Sequence, residues 1–236
     1  ATSSNQVTAL LNEARVAGLE FLSNVTPLST AVPFDLTFMV NNPGMDNTTG
    51  WSGSPALNYS AAEFYQTAFD FNQTISNLPA GTYQLKAQAF QRPGSAAQTY
   101  TDYLAGTNKV NTFLYIGSKA VAVKNAVADA QQVMVGAGNE STLASTPSTY
   151  IPNDMQSAAA YFAKGLYDNE VFTDLATDGG SLKVGIRSAS SESMYWSIFD
   201  NFRLYYYGSM GAAVVANVKD IAPVDSRTSM DVYSLD

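Results

Sequence analysis

The residues in this chain with chemistry to offer are a few carboxylates, one arginine in the turn Phe-Gln-Arg-Pro-Gly, and several aromatics outside the evident strands. There is no Cys and no His. That removes thiol nucleophiles, disulfides, the usual zinc sites and any Ser-His-Asp triad, and leaves only hard, oxygen-ligated metals. Glycoside hydrolysis needs two carboxylates about 5 to 10 Å apart across a cleft. Glu13, Glu20, Glu63, Glu140, Glu170 and Glu192 fall on an apparent helix or in loops and form no motif. Asp102, Asp154, Asp168 and Asp174 could be gathered by folding, but nothing in their spacing says so. The chain therefore reads as a non-enzyme.

Recognition of a sugar needs flat apolar faces for its C–H side and polar groups for its hydroxyls. Trp51 and Trp196 have the largest faces. Trp51 reads as packing under its loop, and Trp196 shares strand parity with Ile198, which favours the core, yet it stays a ligand candidate. Tyr100, Tyr103 and Tyr150 lie in stretches that read as polar loops, where an exposed ring is costly unless a ligand covers it. Arg92 could hold a pair of hydroxyls or an acidic sugar.

Apolar residues make up 46 % of the chain and charged ones 14 %, against roughly 25 % charged in an average soluble domain. Ser, Thr, Asn and Gln supply the polarity, as suits a β-rich domain with uncharged loops. The net charge is -8, and no Lys/Arg cluster is present to displace counterions from a phosphate backbone, so nucleic acid is not an expected partner. No apolar run approaches the ~18 residues that span a bilayer.

The elements that must position these groups are mostly strands. Val7, Leu10, Leu11, Ala14, Gly18, Phe21 and Leu22 recur at helical spacing, with Ser3 and Gln6 as a capping box, and this helix is expected to dock on the main domain. The stretch TYQLKAQAF alternates Tyr83, Leu85, Ala87 and Ala89 with polar residues, a strand with one buried face. The preceding AFDFNQTISNLPAGTY reads as its hairpin partner. TFLYIG (112–117), SLKVGIRS (181–188) and MYWSIFDNFRLYYYG (194–208) are further strands. Between Lys119 and Gly180 the pattern gives way to an inserted loop-helix segment, in which Asp154 caps a short helix through Met155, Phe162 and Leu166 and the preceding GAGNESTLASTPSTYIPND shows no strand pattern. Three parts follow: 1–37, helix and connector; 38–208, the main domain; and 209–236, a linker and the start of a truncated β unit.

Taken in order, NNPGMDNTTGW (41–51), FNQTISNLPAGTYQLKAQAF (71–90) and SIFDNFRLYYYG (197–208) resemble the galactose-binding-like jelly-roll domains of secreted carbohydrate-binding modules. Such domains are abundant in exported proteins of gut Bacteroidetes. The resemblance implies a mainly β, jelly-roll β-sandwich, secreted or at the cell surface, as part of a larger exported protein. It implies a non-catalytic module that binds polysaccharide or glycan through loop aromatics, with an adhesion or spacer module contacting protein partners as the alternative. It also implies that Asp46 and Asp200 hold a structural calcium. An independent reason exists for Asp200: a carboxylate between Ile198, Phe199 and Phe202 is costly to bury unpaired. Solvent exposure, or backbone N–H bonds at a bulge, would meet that need equally well.

Overall fold

A computed structural model of the chain describes residues 4–24 and 32–208. The β unit expected after residue 208, and Ser3 of the expected capping box, lie outside the described residues. In chain order the elements are helix α1 (Ser4–Asn24) and strands β1 (Phe34–Asp35), β2 (Ala56–Asn58), β3 (Ala61–Tyr65), β4 (Phe69–Leu78) and β5 (Gly81–Arg92). Helix α2 (Ala96–Leu104) follows, then β6 (Thr112–Ile116), β7 (Lys119–Ala122), β8 (Lys124–Asn125), β9 (Glu140–Ser145) and β10 (Ser148–Pro152). Helix α3 (Met155–Ala163) leads to β11 (Asp168–Leu175), β12 (Gly180–Ser188) and β13 (Trp196–Tyr206).

The architecture is the jelly-roll β-sandwich expected from the sequence. One sheet runs β11-β5-β13-β3-β2, with β1 on β13 and β8 on β5; the other runs β4-β12-β6-β7. The chain alternates between them, β3, β5, β11 and β13 in the first and β4, β6 and β12 in the second. Between the sheets lies an aromatic and aliphatic core, with Phe71, Phe199 and Phe202 all fully buried. Pairing of Phe34 with Tyr206 starts the sheet before the expected boundary at residue 38.

The strands on either side of Leu78-Pro79-Ala80-Gly81 do not form the expected hairpin. Strand β4 pairs with β12, whereas β5 pairs with β13 and β11, so the turn carries the chain from one sheet to the other. Asp178 Oδ1 accepts from Ala80 N at 2.7 Å and Tyr83 Oη donates to Pro79 O at 2.6 Å, fixing the crossing. Gly81 is obligatory there: its φ is +147° and a Cβ would stand 2.1 Å from Gly208 O. Local alternation marks a strand but not its partner, and both readings satisfy the same turn residues.

Strand β5 also departs from the expected single buried face. Tyr83, Leu85, Ala87 and Ala89 face the core as predicted, but Gln84, Gln88 and Arg92 on the other side are buried too. A second apolar cluster covers that face, built from Phe90, Ala126, Ile151, Tyr161, Phe162, Tyr167, Trp196 and Ile198. Phe90 stands 4.6 Å from Tyr167 and edge-on to Trp196 at 5.1 Å, ring centre to ring centre. The roof of this cluster is the insertion, and it is not merely loop and helix: GAGNESTLASTPSTYIPND forms the antiparallel pair β9 and β10. The cap of α3 is as expected, with Asp154 Oδ1 accepting from Ser157 N at 2.8 Å and Ser157 Oγ accepting from Asp154 N at 3.2 Å. Helix α1 docks through Arg15, whose Nη2 donates to Asn41 Oδ1 at 2.7 Å, and through Phe21 edge-on to Phe34.

Because both apolar layers share β5, they should unfold as one unit. Phe90→Ala in the outer layer is expected to cost about 3–5 kcal/mol, as Phe199→Ala does in the inner one. Urea denaturation measures both; a loss under about 1 kcal/mol for Phe90→Ala would mean the outer layer is not packed as described.

Candidate ligand-binding site

At one edge of the insertion a cavity of about 500 Å³ opens between the β2–β3 turn, the ends of β3 and β5, the start of β13 and the first turn of α3. Its size is that of an ordinary small-ligand pocket. At its base the Arg92 guanidinium lies over the Trp196 ring, 4.9 Å from the centroid. Arg92 Nη1 donates to Asn153 Oδ1 at 2.5 Å, and Arg92 Nε is buried with no partner among the described residues. Trp196 Nε1 donates to Glu63 Oε2 at 2.6 Å. Burial holds Arg92 below the ordinary guanidinium range against the pull of Tyr65 and Glu63. Burial likewise raises the Glu63 carboxyl, against the Trp196 bond and the Arg92 charge.

Each of these groups is placed by its element. Trp196 pairs across the sheet with both Tyr65 and Arg92, so the cluster is a row of cross-strand neighbours. Asn153 is held where β10 meets α3, its N–H donating to Asn139 O at 2.9 Å. Tyr59 and Tyr65 form the rim, 51 % and 47 % exposed. Tyr59 and Ser60 are the two residues of the β2–β3 turn, and both have φ +53°. A two-residue hairpin with both positions left-handed normally uses Asn-Gly or Gly-Gly, so a tyrosine there is retained at a conformational cost.

Of the residues singled out in the sequence, the structure brings Arg92 and Trp196 together in this cavity. Tyr100 and Tyr103 stand on helix α2 and Tyr150 on strand β10 rather than in loops, and none of them lines it. Tyr150 is half-buried and its carbonyl accepts from Tyr161 Oη at 3.2 Å. Trp196 and Ile198 do share a face, but it is the outer face under the insertion, not the inter-sheet core. Trp51 is in that core, stacked on Phe71 at 4.6 Å with Nε1 donating to Asn41 O at 2.5 Å. Tyr59, Tyr65 and Asn153 went unnoticed in the sequence, and Glu63 was weighed there only as a catalytic carboxylate. The one local signal was Asn58-Tyr59-Ser60-Ala61, a turn lacking the usual glycine.

Away from the cavity, Asp200 and Asp46 form a second notable feature. Asn201 has φ +52° and the pairing of β13 with β5 shifts register between Asp200 and Arg203, so Asp200-Asn201 is a β-bulge. Asn201 Nδ2 donates to Gln88 Oε1 at 2.5 Å. Asp200 is 8 % exposed, and the hydrogen bond it accepts is from Asn201 N at 2.6 Å. Phe202 N donates to Pro43 O at 2.9 Å, which brings the loop bearing Asp46 alongside, and Asp46 Oδ1 accepts from Ser60 Oγ at 2.7 Å. Burial, opposed by the Asn201 bond and reinforced by the Asp46 charge, pushes the Asp200 carboxyl up to about 7. Two oxygen-only side chains of like charge, one poorly solvated, fit a hard divalent cation chemically, although no third carboxylate joins them among the described residues.

No family model and no curated protein matches the chain. Among solved structures, it is similar to TmCBM61 in complex with beta-1,4-galactotriose, with a TM-score of 0.31 and 12 % identity over 71 % of this chain and 97 % of that one. The functional reading rests on this chain's own residues.

Between its ordinary value of 3.8 and about 7, folded Asp200 keeps a proton that the unfolded chain releases. The contribution of Asp200 to stability without divalent cations should therefore be fully present below that interval and be lost as pH rises through it, by no more than about 4 kcal/mol. Asp200→Asn should flatten this slope and be the more stable protein at pH 7.5 in chelator. An unchanged slope in that variant, measured by urea unfolding from pH 4 to 8, would contradict the assignment.

Proposed function

We propose that the chain is a carbohydrate-binding module of an exported protein, and that the cavity at Arg92 and Trp196 is where it holds the glycan. The observation that carries this reading is the left-handed Tyr59 on the rim, an exposed ring kept at a costly turn position above a cluster of buried hydrogen-bonding groups. Tyr59 and Tyr65 offer faces to sugar C–H groups; Arg92 and Asn153 offer donors and acceptors to hydroxyls. The chemistry suits binding rather than hydrolysis. The cavity's carboxylates are Glu63 and Asp154, and Asp154 is tied into the helix cap by Ser157 N and by Asn139 N and Nδ2. Burial raises its carboxyl, but those bonds outweigh it and hold the group below the usual range, a poor partner for acid-base work with Glu63.

Tyr59→Gly separates a binding role from a structural one. It relieves the strained turn, so stability should rise by up to about 1 kcal/mol, while glycan affinity falls about tenfold. Tyr65→Ala should weaken binding by a similar factor, and Tyr100→Ala should leave it unchanged. A glycan array followed by calorimetry checks all three; loss of binding in Tyr100→Ala with none in Tyr65→Ala would move the site to α2. Binding to no glycan at millimolar concentration would favour an adhesion or spacer role.

Calcium belongs to the same proposal. Asp46 and Asp200 are the residues that would hold it, and it would supply the positive charge that two neighbouring carboxylates lack, tying the loop after Val40 to β13. At about a hundred times its dissociation constant it would add roughly 2.7 kcal/mol. Chelation should then lower the melting temperature by roughly 2–4 °C per kcal/mol lost. A melting curve unmoved by chelator, with no metal found by elemental analysis, would reject calcium here.

A further inference from the structure

We infer that Glu63 sets the ligand class of the cavity, admitting neutral sugars and excluding those that carry a carboxylate or sulfate. The inference rests on the carbohydrate reading above. Arg92 by itself would suggest the opposite, because a guanidinium is the side chain best shaped to clamp an anion. The surroundings reverse that expectation. The charged groups lining the cavity are Arg92, Glu63 and Asp154, one cation against two carboxylates. Asp154 is ionised, since its bonds from Ser157 and Asn139 hold its carboxyl low. Arg92 already feels Glu63, spends Nη1 on Asn153 and lies over the Trp196 ring. An anionic sugar approaching Arg92 would thus meet a cation already compensated by Glu63 and one carboxylate in excess, in a chain of net charge -8.

Glu63 and Asp154 do not contribute equally. Both oxygens of Asp154 are taken up by the cap and by Asn139. Glu63 uses Oε2 for Trp196 Nε1, and its other oxygen takes no hydrogen bond from the described residues. That oxygen is an acceptor for a sugar hydroxyl, which a neutral ligand can donate to and an ionised carboxylate or sulfate cannot. In its ionised form the half-buried Glu63 repels an anion more strongly than an exposed carboxylate would.

The test compares matched pairs that differ only at C6: trisaccharides of glucose, mannose and galactose against those of the corresponding uronic acids, titrated into the whole chain by calorimetry. The wild type should bind at least one neutral sugar, and bind its uronide at least about tenfold more weakly. Glu63→Gln keeps an oxygen for Trp196 Nε1 but loses the charge, and should narrow that gap to within about threefold. Raising salt should narrow it in the wild type also, a readout that needs no variant. A uronide bound as tightly as its neutral partner, or a gap that survives Glu63→Gln in a variant with an unchanged melting curve, overturns this inference and leaves the carbohydrate reading standing. No binding of either class overturns both.

Discussion

Strand β5 is buried on both of its faces, and the rest of the molecule follows from that constraint. Its inward alanines, leucine and tyrosine complete the inter-sheet core. Its outward face carries Gln84, Gln88 and Arg92, its inward face ends in Gln91, and buried amides and guanidinium groups must find partners or cost the fold dearly. On the inward side Gln91 Oε1 accepts from Asn111 N and Thr112 N, while its Nε2 donates to Val123 O, which ties β5 to the start of β6 in the other sheet. Gln88 Nε2 reaches Phe162 O and Leu166 O at the end of α3. The Gln88 bonds fasten the insertion over the sheet, and Phe90 fills the space beneath it. Arg92 comes last on the strand, where the roof ends, so its polar surroundings open into the cavity.

Sequence periodicity made much of the sandwich legible, because a half-buried strand must alternate and a helix cap must show an Asx or hydroxyl residue. Tyr83 to Ala89, the strands around Leu114 and Val184, and the Asp154 cap all follow these local rules. Partners were harder to read. Nothing in Leu78-Pro79-Ala80-Gly81 distinguishes a hairpin from a crossing between sheets; the distinction rests on contacts such as Asp178 to Ala80, far apart in sequence. The polar face of β5 misled for a related reason. Glutamines on a strand usually meet water, and here they meet backbone carbonyls supplied by a segment some seventy positions later.

The site was legible in part, and for the same physical reason. Arg92 and Trp196 stood out by rarity of type. Glu63 and Tyr65 did not, since their meaning comes from cross-strand register that places β3 and β5 on either side of Trp196. Tyr100, Tyr103 and Tyr150 drew notice as aromatics in polar stretches, but they stand on helix α2 and strand β10 and do not line the cavity. Asp200 shows the reverse case. Its oddity within a hydrophobic strand was visible at once, and the bulge explains the neighbouring Asn201, which tolerates a left-handed conformation better than most residues.

In the proposed site, ligand binds beside Trp196 on the outer face, not at the core that holds Trp51. The chain has 2 tryptophans, so an NMR titration of the ¹⁵N-labelled protein follows one indole N–H signal from each place. With a bound oligosaccharide, the account predicts a large shift of the Trp196 Nε1–H signal, whose acceptor is Glu63, and a nearly stationary Trp51 signal. A saturable shift at Trp51 alone, or bound sugar that moves neither indole, would contradict it.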